Sequence, residues 1–325
     1  MKAATFAVLR QLAAGTPCAS AVLAQAVGLP RAAVGAAVRE LRAHGVEVRA
    51  VRGRGYALGA PADLLDRAAV AARLAQRGAP IVLDLADECV STNAALLERA
   101  ASGAGAGTAL ACELQTAGRG RRGARWHARL LAGLTFSVLW RYERARSDFG
   151  ALPLAVGVAC ARALDALGVR GVRLKWPNDL VHGGGKLGGI LVEAASEAGG
   201  PTAVVVGVGV NVRGARALGA TVGQPVSDLA ALARDVPPRT ALLAELLAEI
   251  ASALEAFGRH GFAAFREEWS RRHAQQDAPV RLLLPGGGAV DGVALGVAED
   301  GALLVATRAG VERHHAGAVS LRAAT

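Results

Sequence analysis

The sequence predicts an α+β chain built of three successive units, and three observations predict it. Residues 1–62 hold three stretches of helical periodicity and then a short basic hairpin pattern. Residues 63–275 alternate helix and strand patterns without strict βαβ repetition, which suggests a mixed sheet with helices layered on it. Residues 276–325 hold only short strand patterns parted by glycine clusters, the signature of a small β-barrel.

In the first unit, Phe6, Val8, Leu9 and Leu12 are spaced for a helix over 5–14. A second helix over 20–27 follows Thr16-Pro17, and Gly28-Leu29-Pro30 makes a turn. The third helix runs over 31–43 with Val34, Val38 and Leu41 on one face, and Gly45 ends it. Residues 46–48 and 56–58 read as strands around Arg52-Gly53-Arg54-Gly55. Three helices and a basic hairpin describe a winged helix-turn-helix. Pro61 closes this unit, and 60–63 reads as its linker.

The middle unit has strand patterns at 81–85, 108–113, 134–140, 172–174, 189–193 and 203–210. Its helices are predicted at 92–101, capped by Ser91, and at 150–167, 241–257 and 262–269. The tail strands are 280–284, 290–297, 302–307 and 311–314.

Composition narrows the function classes. Of 325 residues, 52% are hydrophobic, which excludes wholesale disorder and allows a large core. The net charge of +10 favours an anionic partner, set against the alternative of arginines spread over a solvated surface. The arginines cluster twice. Six lie in 31–54 (Arg31, Arg39, Arg42, Arg49, Arg52, Arg54), and five lie in 119–129 with no acid among them. Cys18, Cys89, Cys112 and Cys160 form no C-x-x-C pair, so zinc and disulfide frameworks have no support, and free thiols fit a cytoplasmic protein. Arg10 and Gln11 interrupt the N-terminal apolar stretch too early for a signal-peptide core. The longest apolar run, 149–161, falls short of the ~18–20 residues of a membrane span and reads as a buried helix.

Two literal G-x-G-x-x-G matches occur, Gly118–Gly123 and Gly183–Gly188, and both run into strand-like sequence. A dinucleotide site needs a helix after its glycines, so neither match carries that meaning. No G-x-x-x-x-G-K-[ST] is present, which excludes a P-loop. The chemistry sits elsewhere. Gly118-Arg119-Gly120-Arg121-Arg122-Gly123, followed by Arg125-Trp126, is a mobile backbone dense in positive charge that can close over an anion. Lys175-Trp176-Pro177-Asn178-Asp179 follows one strand, and Lys186-Leu187-Gly188-Gly189 opens the strand that ends at Glu193. Two lysines beside an arginine loop can neutralise a carboxylate and a polyphosphate together. Asp179 offers a hard oxygen for Mg²⁺, and Asn178 an amide to orient a phosphate. Gly183-Gly184-Gly185 reads as a hairpin turn.

Together, GRGRRG with Arg125-Trp126, KWPND, GKLGGILVE and GVGVN (207–211), preceded by Ser91-Thr92-Asn93, resemble the biotin protein ligases over nearly the whole chain. The winged helix and small barrel resemble the long, bifunctional form that is also the biotin operon repressor. The resemblance implies a class II aminoacyl-tRNA synthetase/biotin ligase-like central sheet and an SH3-like barrel at the C-terminus. It implies ATP-dependent formation of biotinyl-5′-AMP and then transfer to a lysine of the biotin carboxyl carrier protein of acetyl-CoA carboxylase. ATP, biotin and Mg²⁺ are the implied ligands.

By the same resemblance, Ser91, Thr92, Asn93, Gln115, Arg119, Gly120, Arg121 and Lys186 hold biotin, with Lys186 and Arg121 catalytic. Arg122, Trp126, Lys175, Asn178, Asp179 and Asn211 belong to the ATP and adenylate, Asp179 as the Mg²⁺ ligand. Arg322 matches a family arginine near the nucleotide. Arg31, Arg39, Arg49, Arg52 and Arg54 are the DNA-binding candidates on biotin-operon DNA, and an adenylate-promoted homodimer through edge strands of the central sheet is implied.

The chain also departs from the family. The reading helix offers Ala32, Ala33, Val34, Gly35, Ala36 and Ala37, few of which hydrogen-bond to base edges. Ligation is therefore expected to be intact while sequence-specific repression is weak, altered or lost. Val90 stands where an acid is common, and 213–224 carries no assigned residue. The rival classes are a lipoate-type acyl-adenylate ligase and a non-catalytic biotin-sensing repressor.

Overall fold

The structure is a computed structural model that describes residues 1–143, 149–196, 201–284, 288–316 and 320–323. The chain opens with α1 (Ala3–Leu12), α2 (Ser20–Val27) and α3 (Arg31–Ala43), followed by the antiparallel pair β1 (Val48–Val51) and β2 (Gly55–Leu58). Gly28 ends α2 in the left-handed region at φ 66°, and α2 and α3 meet at 97°. Phe6, Leu9, Leu12, Leu23, Val34 and Leu41 make the apolar core of this segment. Leu114 and Leu130 from the middle of the chain enter the same core. Arg10 pairs with Asp87, and the Met1 ammonium with Glu88.

Next come α4 (Arg67–Gln76), β3 (Val82–Cys89), α5 (Thr92–Ala101), β4 (Thr108–Gln115), β5 (Gly133–Tyr142), α6 (Leu152–Ala166), β6 (Arg173–Lys175), β7 (Asp179–His182), β8 (Gly185–Ser196) and β9 (Thr202–Asn211). A short α7 (Gly219–Val222), the long α8 (Arg239–His260) and α9 (Ala263–Arg272) complete the middle. The strands form one sheet in the order β3-β4-β5-β9-β8-β7-β6, with β3 and β4 parallel and the other pairs antiparallel. All ten residues of β9 are buried, as befits a central strand. Helices α6 and α8 share the main apolar core with the sheet, while Leu96 and Ala100 of α5 pack in a separate cluster with Leu110, Leu139 and Val205. Eleven of the fifteen residues of α6 are buried. By length and composition 149–166 would pass as a membrane span, but 67% of it is buried inside the protein, as expected of a core helix.

The tail carries β10 (Pro279–Leu283), β11 (Ala289–Val297), β12 (Leu303–Thr307), β13 (Gly310–His314) and β14 (Ser320–Ala323) in an antiparallel sheet of order β13-β12-β11-β10-β14. Val280, Leu282, Leu303 and Val305 join the same core as α6 and α8.

Four elements escape the sequence patterns, one of them the four-residue α7. Helix α4 buries only Val70 and Leu74 among alanines, too thin a stripe to mark it. Strand β7 begins on Asp179, so Trp176-Pro177-Asn178 is the turn of a tight β6–β7 hairpin with Lys175 opposite Asp179. Strand β14 is four residues long. Strand β8 is also longer than the expected 189–193, because the hairpin turn lies at Gly183 (φ 54°) and Gly184 (φ 77°) and pairing starts at Gly185.

Candidate active site

Strand β9 lays the floor. Gly207 and Gly209 lie two apart on one face, about 7 Å along the strand. A Cβ on Gly207 would lie 2.1 Å from Asn93 Oδ1, and one on Gly209 would lie 2.3 Å from Trp126 Cε2. The missing side chains therefore make two neighbouring seats, one for the Asn93 amide and one for the Trp126 indole. The indole Nε1 is buried and has no hydrogen-bond partner among the described residues, a donor left over for something that enters.

Over the first seat stands a polar cradle. Ser91 caps α5 by accepting from Ala94 N, and Thr92 and Asn93 are carried inward on its first turn. Gln115, at the end of β4, accepts from Thr92 N at 2.8 Å and from Thr92 Oγ1 at 3.2 Å. Ser137 on β5, fully buried, lies 2.7 Å from Thr92 Oγ1 and 2.5 Å from Asn93 Oδ1.

The arginine loop folds back on itself beside the second seat. Trp126 N donates to Gly118 O at 2.9 Å, and Gly120 N to Ala124 O at 2.7 Å. Arg122 sits in the left-handed region at φ 56°, a conformation that strains any residue but glycine. Arg119 pairs with Glu193 at 2.8 Å. Arg121 reaches Asn178 Oδ1 at 3.4 Å and the Ala316 carbonyl in the turn after β13. Burial presses the Arg121 guanidinium below its ordinary pKa, Arg122 adds to this, and Asp179 opposes it.

The KWPND hairpin brings the phosphate-type chemistry. Lys186 Nζ lies 2.6 Å from Asp179 Oδ1. Asn178 is pinned to β8 by its amide on Ile190 O at 2.7 Å. Trp176 is buried and donates to Gly301 O at 3.1 Å, so it anchors the tail sheet. The Asn211 amide donates to Lys186 O at 3.2 Å and Ser227 O at 3.1 Å. Its donors thus fix the backbone of the lysine, and they do so from the edge of the cavity.

These parts line one cavity of about 440 Å³. Ser91, Thr92, Asn93, Gln115, Arg119, Gly120, Arg121, Arg122, Trp126, Lys175, Asn178, Asp179, Lys186 and Asn211 all contribute to its wall. Arg125 does so as well, making six cationic side chains there against one carboxylate, Asp179. Leu218, Thr221, Val222 and Gln224 also line it, from the 213–224 stretch to which the sequence assigns nothing. An Ala/Gly-rich loop carries no chemical signal, and only its return across β8, where Lys186 N donates to Pro225 O at 2.9 Å, makes it a wall. Among the described residues no group of three His, Cys, Asp or Glu side chains is gathered to hold a metal.

Arg31, Arg39, Arg49, Arg52 and Arg54 are exposed on α3 and the β1–β2 hairpin and take no part in the cavity. Arg49 donates to Gly59 O at 3.1 Å and so braces the hairpin. The exposed positions of α3 include Ala32 and Ala36 beside Arg31 and Arg39. Arg322 lies in β14, and its side chain is outside the described residues.

Comparison with known proteins points one way. The model of the biotin/lipoate A/B protein ligase family matches residues 88–211, and that of the biotin protein ligase C terminal domain matches 278–322. The chain is 35% identical over 302 residues to the bifunctional ligase/repressor BirA of Escherichia coli (strain K12), covering 93% of this chain and 92% of that protein. It is 37% identical over 226 residues to the biotin–[acetyl-CoA-carboxylase] ligase of Mycobacterium tuberculosis (strain ATCC 25618 / H37Rv), covering 68% of this chain and 82% of that one. Among solved structures, the biotin protein ligase from Aquifex aeolicus in complex with biotin and ATP superposes with a TM-score of 0.64 at 29% identity, over 74% of this chain and 99% of that one.

Proposed function

This chain belongs to the biotin protein ligase family, and from that premise we infer how its residues carry out the ligation. The enzyme is a biotin–[acetyl-CoA-carboxylase] ligase. A biotin carboxylate oxygen attacks the α-phosphorus of ATP, the bond to pyrophosphate breaks, and biotinyl-5′-AMP remains. A neutral lysine amine of the biotin carboxyl carrier protein then attacks the acyl carbon, AMP leaves, and the amine gives up its proton.

The observation that carries this reading is the single cavity in which a hydrogen-bonding cradle adjoins six cations. Bringing two anions together requires screening, and the charge that gathers on phosphorus requires fixed positive partners. Lys186 bridges the carboxylate and the α-phosphate, and Arg121 joins it as the clamp closes. Ser91, Thr92, Asn93 and Gln115 receive the biotin head group, with Arg119 and Gly120 over it. Trp126 covers the adenylate, and Arg122, Lys175, Asn178 and Asn211 surround its phosphates and their approach. Asp179 would hold Mg²⁺ together with the ATP phosphates, since one carboxylate plus phosphate oxygens is an ordinary Mg²⁺ site. Held there, the ion would screen phosphate charge. A clamp closed over the mixed anhydride also keeps water from hydrolysing it. ATP- and biotin-dependent labelling of a carrier domain, with lipoate as the competing acid, tests the reading. Labelling with lipoate in place of biotin favours the lipoate-type ligase, and absence of any labelling favours a non-catalytic sensor.

We also propose the division 1–62, 63–275 and 276–325, with a winged helix-turn-helix first and an SH3-like barrel last. The 97° crossing of α2 and α3 supports the former. On operator DNA the wing arginines Arg52 and Arg54, with Arg31 and Arg39, grip phosphates, while the alanine face of α3 reads bases poorly. A salt-titrated binding assay on biotin-operon DNA should therefore show a steep salt slope and little sequence preference. Nanomolar, sequence-selective binding with biotinyl-AMP present would refute this. Homodimerisation through an edge of the central sheet, whose edge strands are β3 and β6, and a cytoplasmic location complete the proposal.

A further inference from the structure

Glu193 ends the GKLGGILVE motif, and the ligation chemistry above gives it no task. Gly189, Leu191 and Glu193 alternate onto one face of β8. Gly189 pairs with Gly209, the Trp126 seat, and Leu191 with Gly207, the Asn93 seat. Glu193 is the next position in that row. Its two carboxylate oxygens go to different parts of the site. Oε2 accepts from Asn93 Nδ2 at 2.9 Å, and Oε1 accepts from Arg119 Nη2 at 2.8 Å. Its side chain is 22% exposed, whereas that of Arg119 is 48% exposed, so the carboxylate is the fixed member and the loop arginine the movable one.

The carboxylate also dictates a direction. It only accepts, so it holds the nitrogen of the Asn93 amide toward itself, with Leu191 O as a second acceptor at 3.3 Å. The amide oxygen is then turned to Ser137 and accepts from its hydroxyl. That choice spends the Ser137 proton on Asn93 and leaves the Ser137 oxygen facing the Thr92 hydroxyl, while Gln115 Oε1 is fixed by the Thr92 N–H. A cyclic urea carries one acceptor flanked by two N–H donors, so it fits a cradle of one polarity and not its reverse.

We propose, resting on the ligase reading above, that Glu193 is a positioning residue. It sets the polarity of the biotin cradle through Asn93 and ties the root of the arginine clamp to that cradle through Arg119. Occupancy of the cradle and closure of the clamp are thereby coupled through one carboxylate.

The test uses the full chain and two variants. Glu193→Gln keeps the size and one acceptor oxygen but loses the charge, and Glu193→Ala loses both. KM for biotin and for ATP are measured with a carrier domain, and trypsin cleavage at 119–125 is followed with and without biotin. KM for biotin should rise about tenfold or more in Glu193→Ala and less in Glu193→Gln, with KM for ATP within about twofold, as loss of a charge-assisted hydrogen bond on one substrate's side requires. Biotin should protect the wild-type loop from trypsin and fail to protect it in either variant. Unchanged KM for biotin with protection retained overturns the proposal. So does a KM for ATP that rises in step with that for biotin, since a general structural defect moves both. If the wild-type chain labels no carrier, the ligase reading fails, and biotin-dependent protection still judges Glu193.

Discussion

The Lys186 ammonium lies 2.6 Å from the Asp179 carboxylate across the β7–β8 hairpin, with both side chains about four-fifths buried (22% and 18% exposed). In this arrangement the carboxylate holds the lysine at the cavity wall before any substrate arrives.

The lysine is the group asked to stabilise charge on phosphorus. Lys186→Ala should lower the rate of adenylate formation on the order of 10²–10³-fold, the usual cost of removing one electrostatic stabiliser. Biotin-dependent exchange of pyrophosphate into ATP measures this step apart from transfer. Turnover at the wild-type rate would remove Lys186 from the mechanism.

The two glycine seats on β9 separate the substrates. Gly207→Ala pushes on Asn93, so it should raise KM for biotin, whereas Gly209→Ala pushes on Trp126 and should raise KM for ATP. Steady-state kinetics on both variants decides the matter, and the opposite assignment would exchange the roles of the two seats.

Arg239 and Glu113 form a buried pair, 1% and 4% exposed and 2.8 Å apart. Arg239 also donates to Asp63 O and Gly133 O, so one guanidinium fastens the 63–65 segment, β5 and the start of α8. Breaking such a pair from one side strands a buried charge. Arg239→Leu should cost about 3–5 kcal/mol, seen as a lowered midpoint in chemical denaturation. A midpoint at the wild-type value would show that the pair contributes nothing.

His273 is fully buried between Trp269 and β6. Burial, opposed by Gln276 and Asp277 and helped by Arg173, lowers its pKa from 6.5 to about 4. Between those values the unfolded chain binds a proton that the folded chain does not, so stability falls as the pH drops from 6.5 to 4 and is fully present above 6.5. The effect amounts to about 3 kcal/mol. Denaturation midpoints measured across this range should flatten in His273→Leu, and an equal acid sensitivity in that variant would assign it to other groups.

Much of the fold was legible in sequence because its signals are local. Ser91 caps α5, Gly28 ends α2, and Gly183 and Gly184 turn the β7–β8 hairpin, each by a backbone preference that needs no distant partner. Helix α4 and strand β7 were missed because their apolar signal is one or two residues deep, and neighbours supply the rest of their burial.

The sequence by itself determined which chemistry this protein carries: the cationic loop, the lysines, the hydroxyl and amide cradle, and the glycines that leave room for them. Tertiary structure alone decided what each group touches. Arg119 and Asn93 meet on Glu193 from 74 and 100 residues away. Arg121 crosses 195 residues to the Ala316 carbonyl. The Asn211 amide donates to the backbone carbonyls of Lys186 and Ser227 from 25 and 16 residues away. A hydrogen bond depends on distance and direction in space, and the spacing of residues along the chain fixes neither once strands from different segments are brought side by side.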